Sequence, residues 1–316
     1  MSNESLLSLR VRSISEEACG IHAYEFVSND ERPLPAFTAG AHISLVLPDG
    51  MRRSYSLTNS QRERHRYMVA VNLDPRSRGG SRYLHERVRV GDVLPALAPQ
   101  NAFELVENAG QSVFIAGGIG ITPIRAMIRR LNDLGKHWVL HYCARTPRAA
   151  AFTAEFAGDE RVRFYFDQAE PADRLDIQGL VDSLPPHAHV YCCGPGSMLD
   201  AFLAATAQLP AGRVHYERFA AAQAPAQDGD YTVTLARSKR TLPVRAGQTI
   251  LQALQEAGLN PAFSCGQGVC GSCETAVLAG RPDHRDQVLS EGERAAGRSM
   301  MICCSGSLDN NLVLDL

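Results

Sequence analysis

The 316-residue sequence carries no surplus of either charge: 32 Lys and Arg against 34 Asp and Glu leave a formal net charge of -2. A chain without a basic excess is not built to neutralise nucleic-acid phosphates or an anionic membrane surface. Long apolar runs are missing too. The longest stretch, Val113 to Ile124, is broken by glycines and falls short of the ~18 residues that a spanning helix needs. The first residues, MSNESLLSLRVR, show no basic segment ahead of an apolar core and no small-residue cleavage site. A secretory leader is therefore not expected, and a cytoplasmic location is. With 45 % hydrophobic and 21 % charged residues, neither disorder nor a fibrous class fits, and the length suffices for two or three domains.

Cysteine is what the chain does have. Nine occur, at 19, 143, 192, 193, 265, 270, 273, 303 and 304, an odd number gathered toward the C-terminal end rather than spread as stapling pairs. In a reducing compartment this pattern reads as metal ligation.

From Leu6 to about Leu105, short alternating or β-branched runs (Leu9 to Ile14, His42 to Leu47, Tyr67 to Leu73) are separated by Pro, Gly and Asp. They predict an antiparallel barrel or sandwich. From about Gln111 the rhythm becomes strand, glycine loop, helix: Ser112 to Ala116, Thr122 to Leu134, Trp138 to Cys143, with further strands at Val162 to Phe166 and His189 to Cys192. That alternation predicts a parallel sheet covered by helices. Ala220 to Asp230, AAAQAPAQDGD, has no periodicity and reads as a linker. Beyond it come a strand at Tyr231 to Ala236, a helix at Thr249 to Ala257 and a strand at Asn311 to Leu316. The expected domains are 1–106, 107–219 and 231–316, with 220–230 between the last two.

Cys265, Cys270 and Cys273 stand as C-x4-C-x2-C, with Cys303 thirty positions on, the plant-type spacing of a [2Fe-2S] cluster. Gly266, Gly268, Gly271 and Ser272 let the backbone wrap closely and aim N–H groups at sulfur. Structural zinc is the bland alternative, but it favours two short Cys pairs, and only one is present. Spacing alone leaves Cys303 and Cys304 as rivals for the fourth position.

Gly117-Gly118-Ile119-Gly120-Ile121-Thr122-Pro123 follows an apolar strand and opens a helix, a place where backbone can approach a pyrophosphate. Thr122 is expected to cap that helix, and Pro123 suits its first turn. Tyr191-Cys192-Cys193-Gly194-Pro195 ends another strand before a helix, so both loops fall at carboxyl ends of strands, where ligands of open α/β sheets bind. Cys192 reads as a small buried packing residue. After Cys143 no carboxylate awaits a ribose 2′-hydroxyl; Arg145 and Arg148 would instead suit a 2′-phosphate. In the first domain, Arg52-Arg53-Ser54-Tyr55-Ser56-Leu57 and Arg78-Gly79-Gly80-Ser81-Arg82 combine arginines with a Gly-Gly-Ser helix start, a phosphate cradle, and Tyr55 can lie along an isoalloxazine ring. Taken singly, each also reads as an edge strand or a turn.

Over its full length the sequence resembles the phthalate dioxygenase reductase and vanillate demethylase reductase family. The matching motifs are RxYS (Arg53 to Ser56), GGS (Gly79 to Ser81), GGIGITP (Gly117 to Pro123), CCGP (Cys192 to Pro195), SCxxGxCGSC (Ser264 to Cys273) and the terminal LVLDL. The resemblance implies a flavin β-barrel, a nucleotide α/β domain and a β-grasp-like ferredoxin domain, with FMN, NADH and a [2Fe-2S] cluster as cofactors. It implies FMN contacts from Arg53, Ser54, Tyr55, Ser56, from Ala70, Val71 and Asn72, and from Gly79, Gly80, Ser81 and Arg82. Thr122 and Phe219 would come near the flavin. The nicotinamide dinucleotide would fall to Gly117, Gly118, Gly120, Pro123, Arg145, Cys193, Gly194 and Pro195. The family pattern Met, apolar, Cys, any, Ser, here Met301 to Ser305, selects Cys303 as fourth ligand. No side chain is required as general acid or base, because the cofactors carry the chemistry. The implied role is a monomeric NAD(P)H-dependent reductase passing electrons from NADH through FMN and the cluster to a Rieske-type oxygenase. Alternatives are a non-Rieske hydroxylase or a free electron carrier as acceptor, and a flavin and iron-sulfur redox sensor.

Overall fold

Strict alternation builds the first strands: along Leu9-Arg10-Val11-Arg12 the apolar side chains are buried and the arginines face outward. The computed structural model describes residues 6–48, 50–74, 79–219, 224–226, 229–263 and 265–316. Of the motifs above, Arg78, Ser264 and linker residues 220–223 and 227–228 lie outside them. The chain divides into two units, Met1–Arg218 and Phe219–Leu316.

The first unit opens with β1 (Leu7–Ala18), β2 (Ile21–Ser28), β3 (His42–Val46), β4 (Arg52–Ser56), β5 (Tyr67–Asn72), α1 (Gly80–Arg87) and β6 (Val93–Ala96). The six strands form an antiparallel sheet in the order β4-β3-β6-β1-β2-β5. A bridge between Leu57 and Val69 joins its two ends, closing the sheet into a barrel and removing exposed edges. Leu9, Val11, Tyr24, Phe26, Ile43, Leu45 and Leu84 fill the interior.

The chain continues with β7 (Gln111–Gly117), α2 (Ile121–Asp133), β8 (Trp138–Ala144), α3 (Thr153–Phe156), β9 (Val162–Phe166), α4 (Ile177–Asp182), β10 (Ala188–Cys193), α5 (Gly196–Ala205) and β11 (Val214–Glu217). These strands lie parallel in the order β11-β10-β7-β8-β9. The central β7 is an uninterrupted apolar run because both its faces are covered. Helix α2 is buried at every position from Ile121 to Ile128, the mark of a helix enclosed on all sides. Its Ile121, Ile124 and Met127 join Ile21, Ala39, Ala70 and Phe103 of the barrel in one apolar cluster, which binds the two lobes into a single unit.

The second unit holds β12 (Tyr231–Leu235), β13 (Arg240–Val244), α6 (Ile250–Glu256), β14 (Glu274–Ala279), β15 (Pro282–Asp283), α7 (Glu291–Ala296), β16 (Ser299–Met301), β17 (Gly306–Ser307) and β18 (Asn311–Leu314). Its sheet runs β13-β12-β18-β14-β16, with β12 and β18 parallel, the β-grasp arrangement. Thr249 and Gln252 cap α6 reciprocally, and Ile250, Leu251, Ala253 and Leu254 seat it in the core. The segment between α6 and β14 carries the first three clustered cysteines. Among the described residues no helix is long and apolar enough to cross a membrane.

One local expectation is corrected. Thr122 does not cap α2: a 3-10 turn over Gly118–Gly120 runs straight into the helix, Gly120 takes the cap position, and the Thr122 hydroxyl donates to the Ile119 carbonyl at 2.9 Å.

Candidate functional site

Around the cysteine loop, chain reversal puts sulfur within reach of backbone donors. The N–H of Cys265 donates to Cys270 Sγ at 3.4 Å, that of Gln267 to Cys265 Sγ at 3.3 Å, and that of Gly268 to Cys303 Sγ at 3.2 Å. Hydrogen bonds to sulfur stabilise thiolate, the form that binds iron. Side-chain hydrogen bonds link Cys265 with Cys270, Cys273 with Cys303, and Cys303 with Cys304. The Cys265 thiol donating to Cys270 holds the latter well below the usual thiol range. Cys265, Cys273 and Cys303 are buried and Cys270 is half-buried.

Cys304 takes a different course. Its thiol faces the Met301 carbonyl and the Ser305 hydroxyl, and it packs against the Cα side of Gly268 so closely that a Cβ there would overlap it. Of Cys303 and Cys304, it is Cys303 that receives the Gly268 N–H.

In the barrel, β4 pairs with β3 so that Tyr55 lies opposite Ile43 and Arg53 opposite Leu45. Ser54 shares a hydrogen bond with Ser44 at 3.0 Å, and Ser56 is buried. Helix α1 starts after Gly79, whose φ of 104° is left-handed and which, as glycine, brings no capping side chain of its own to the helix's first N–H groups. Those donors, with the positive end of the helix dipole, suit a phosphate. The Arg53 side chain crosses directly above the helix start: a Cβ on Gly80 would come within 2.7 Å of it. Ser81 Oγ accepts the Asp74 N–H at 3.3 Å. Within α1, His85 Nε2 donates to the Val71 carbonyl at 2.9 Å, tying the helix to the Ala70 to Asn72 strand. Arg82 is exposed and points along the helix toward Glu86 at 4.0 Å.

The two nucleotide loops meet. A Cβ on Gly120 would overlap the Cys193 carbonyl, and one on Gly117 would lie 2.6 Å from Pro195 Cδ. Only glycine permits this contact at the carboxyl ends of β7 and β10. Gly118 is half-buried, Pro123 sits in the first turn of α2, and Gly194 is half-buried. Cys192 packs away from the loops with Val113, Val190 and Leu199. Strand β5 packs beside the Gly118–Gly120 turn, so the barrel's cradle and the glycine loop adjoin within one unit. Phe219 opens the second unit and is exposed, and Arg145 is exposed after β8.

Two acidic residues escaped the sequence reading. Glu217 lies in register with Cys193 across the parallel β10–β11 pair. The residue as a whole is half-buried, but its Oε2 is enclosed with no partner. Burial pushes this carboxyl up to about 8, and it helps burial push the Cys193 thiol up as well. Asp167, just past β9, donates its N–H to the Ala144 carbonyl at 3.3 Å, and its carboxylate lies close enough to the end of β8 to add to the burial that pushes the Cys143 thiol up. Each is a lone acid at a strand's carboxyl end. That was the available signal, but the strands carrying them become neighbours of the loops only through the sheet order.

Comparison with known proteins agrees with this architecture. Residues 233–306 match the model of the 2Fe-2S iron-sulfur cluster binding domain. The chain is 53 % identical over 311 residues to a phenoxybenzoate dioxygenase subunit beta of Ectopseudomonas oleovorans, covering 98 % of this chain and 97 % of that one. It is 49 % identical to a tetrachlorobenzoquinone reductase of Sphingobium chlorophenolicum, covering 99 % and 98 %. The solved structure of a phthalate dioxygenase reductase, described as modular for electron transfer from pyridine nucleotides to [2Fe-2S], superimposes with a TM-score of 0.80 at 37 % identity, covering 99 % of this chain and 98 % of that one. Reductases of this kind use FMN and NADH beside the cluster. The chain belongs to the phthalate dioxygenase reductase family, the oxidoreductase components of multicomponent oxygenases and demethylases that carry electrons from pyridine nucleotide through a flavin to a [2Fe-2S] cluster.

Proposed function

We propose that the chain is a monomeric, cytoplasmic, NADH-dependent reductase serving a Rieske-type oxygenase. FMN is held by Arg53, Ser54, Tyr55 and Ser56, by the backbone of Ala70, Val71 and Asn72, and by the helix start at Gly79, Gly80, Ser81 and Arg82. NADH is held by Gly117, Gly118, Gly120, Pro123, Arg145, Cys193, Gly194 and Pro195, with Thr122 near the flavin. The cluster is held by Cys265, Cys270, Cys273 and Cys303. The observation that carries this reading is the packing of β5 beside the glycine turn, which sets a flavin cradle next to a dinucleotide loop. The cysteines outside the cluster set, Cys19, Cys143, Cys192, Cys193 and Cys304, are free thiols, which supports a reducing compartment.

When bound, the three groups supply the redox chemistry, a hydride leaving NADH and single electrons leaving through the cluster. The chain's residues bind and orient. Glycine-led helix starts receive phosphates, Glu217 stands neutral at neutral pH beside the nicotinamide loop, and N–H groups donate to the sulfurs of Cys265, Cys270 and Cys303. The Asp167 carboxylate beside Ala144 supports NADH over NADPH, since it meets a ribose hydroxyl favourably and repels a 2′-phosphate.

Anaerobic mixing with NADH, then with a purified Rieske oxygenase, tests the reading: flavin, reductase cluster and Rieske centre should be reduced in turn. A Rieske centre left oxidised would remove that partner. Likeness to the tetrachlorobenzoquinone reductase favours a second reading, direct reduction of quinones. In that case Cys270→Ser protein would retain full quinone turnover, because a two-electron acceptor can be served by flavin alone.

A further inference from the structure

Arg125 is a buried arginine to which the site described above gives no part. It lies one turn beyond Thr122, on the same side of α2. Only 8 % of its side chain is exposed, and its charge is met by Glu155 of α3, with Nε to Oε2 at 2.6 Å. Its Nη1 donates to the Thr58 carbonyl at 3.2 Å.

Each of its contacts belongs to a part of the redox centre. Thr58 follows the flavin strand β4, is itself buried, and donates its N–H to Met68 of β5 at 2.8 Å. Glu155 and Phe152 follow the Arg145 loop at the end of β8. The guanidinium stacks 4.2 Å from the centre of the Phe152 ring, and Phe152 is held at a φ of 61°, a left-handed conformation that costs a bulky residue energy unless its surroundings enforce it. Tyr142 continues the chain of contacts, donating toward the Ala151 carbonyl at 3.2 Å and the Gly118 carbonyl at 3.3 Å. The guanidinium fork therefore connects the end of the flavin strand, the helix behind the glycine loop and the segment behind the ribose loop. Flanking pairs, Arg62 with Asp133 at 3.1 Å and Arg129 with Glu63 at 3.9 Å, also cross between the lobes, but both are more exposed. A lysine offers a point charge and cannot serve two acceptors in a fixed plane.

We infer that Arg125 is a positioning residue for hydride transfer, fixing the approach of the nicotinamide to the flavin by joining Thr58 of the barrel to Glu155 and Phe152 of the nucleotide lobe. This rests on the functional reading above. In the step concerned, two electrons and one proton pass as hydride from NADH to the oxidised flavin, leaving NAD+ and reduced flavin. Arg125 touches neither group, so its effect lies in geometry, where a small misplacement is expensive.

The test compares wild-type, Arg125→Lys and Glu155→Gln holoproteins in anaerobic single-turnover reduction by NADH. The flavin content and the NADH dissociation constant should stay within about twofold of wild type, while the limiting rate of flavin reduction falls by about tenfold or more. A deuterium effect from C4-deuterated NADH should be fully expressed. A second readout needs no turnover: in flavin-free protein, amide exchange of Thr58 and of Phe152 to Glu155 should quicken in both variants while that of β1 and β2 does not. Unchanged limiting rates, or a rate loss accompanied by equal loss of flavin or of the whole fold's exchange protection in both variants, would overturn the inference. Should Arg125→Lys fail to fold, Glu155→Gln decides on the same criteria. Wild-type flavin that NADH does not reduce would instead sink the functional reading and this inference together.

Discussion

Cys303 accepts the N–H of Gly268 at 3.2 Å, while Cys304, the next residue, packs against the Cα of the same glycine and faces the Met301 carbonyl. Adjacency in sequence does not separate the two thiols, which lie within hydrogen-bonding reach of each other, and Cys303 is proposed as the fourth ligand because it takes the Gly268 N–H. Cys304→Ser should keep the cluster's visible absorbance and its stoichiometry of iron and sulfide. Cys303→Ser should lose most of both. The reverse pattern would transfer the fourth position to Cys304.

Arg53 crosses above the Gly79–Gly80 start of α1, where the flavin phosphate is proposed to sit. Arg53→Ala should weaken FMN retention by roughly 10- to 100-fold, the ~1.5–3 kcal/mol of a hydrogen bond to a charged group. Fluorescence of flavin released on dilution measures it, and wild-type retention would move the phosphate elsewhere.

Glu217 gives a pH dependence with a definite sign. Its folded value, about 8, lies above the ordinary carboxyl value of 4.5, so the folded state holds its proton more tightly than the unfolded chain does. The corresponding stabilisation is complete below about 4.5 and is lost as pH rises through about 8. In nucleotide-free protein, Glu217→Gln should flatten the urea-midpoint profile across that window and exceed wild type in stability at its upper end. Parallel profiles for the two proteins would show that Glu217 titrates normally.

Asp167 stands beside Ala144 and is proposed to select NADH. Asp167→Ser should raise the NADPH to NADH ratio of kcat/KM by about tenfold or more, mainly by relieving repulsion of the 2′-phosphate. An unchanged ratio would leave selection to Arg145 and its neighbours.

Much of this architecture was legible in the sequence because the physics behind it is local. Leu9 and Val11 alternate with arginines, so β1 was readable. The apolar run before Gly117 and the glycines after it announced β7 and its loop. The Cys265 to Cys273 spacing announced the cluster. What stayed hidden depends on non-local neighbours. Glu217 and Asp167 become relevant only once β11 and β9 take their places in the sheet order β11-β10-β7-β8-β9. Thr122 was misread as a cap because the 3-10 turn that displaces the helix start is a matter of backbone geometry, with Gly120 pressed against Cys193. Arg125 looked like any helix arginine, because its burial follows from α2 being enclosed between barrel and sheet.

The central claim is that electrons entering from NADH leave by the cluster on Cys265, Cys270, Cys273 and Cys303. Cytochrome c and ferricyanide reduction by NADH, measured side by side on wild-type and Cys270→Ser protein of equal FMN content, tests it most directly. The expected result is that Cys270→Ser loses nearly all cytochrome c reduction and keeps ferricyanide reduction, since flavin alone serves the latter. Cytochrome c reduction at the wild-type rate without the cluster would contradict the claim.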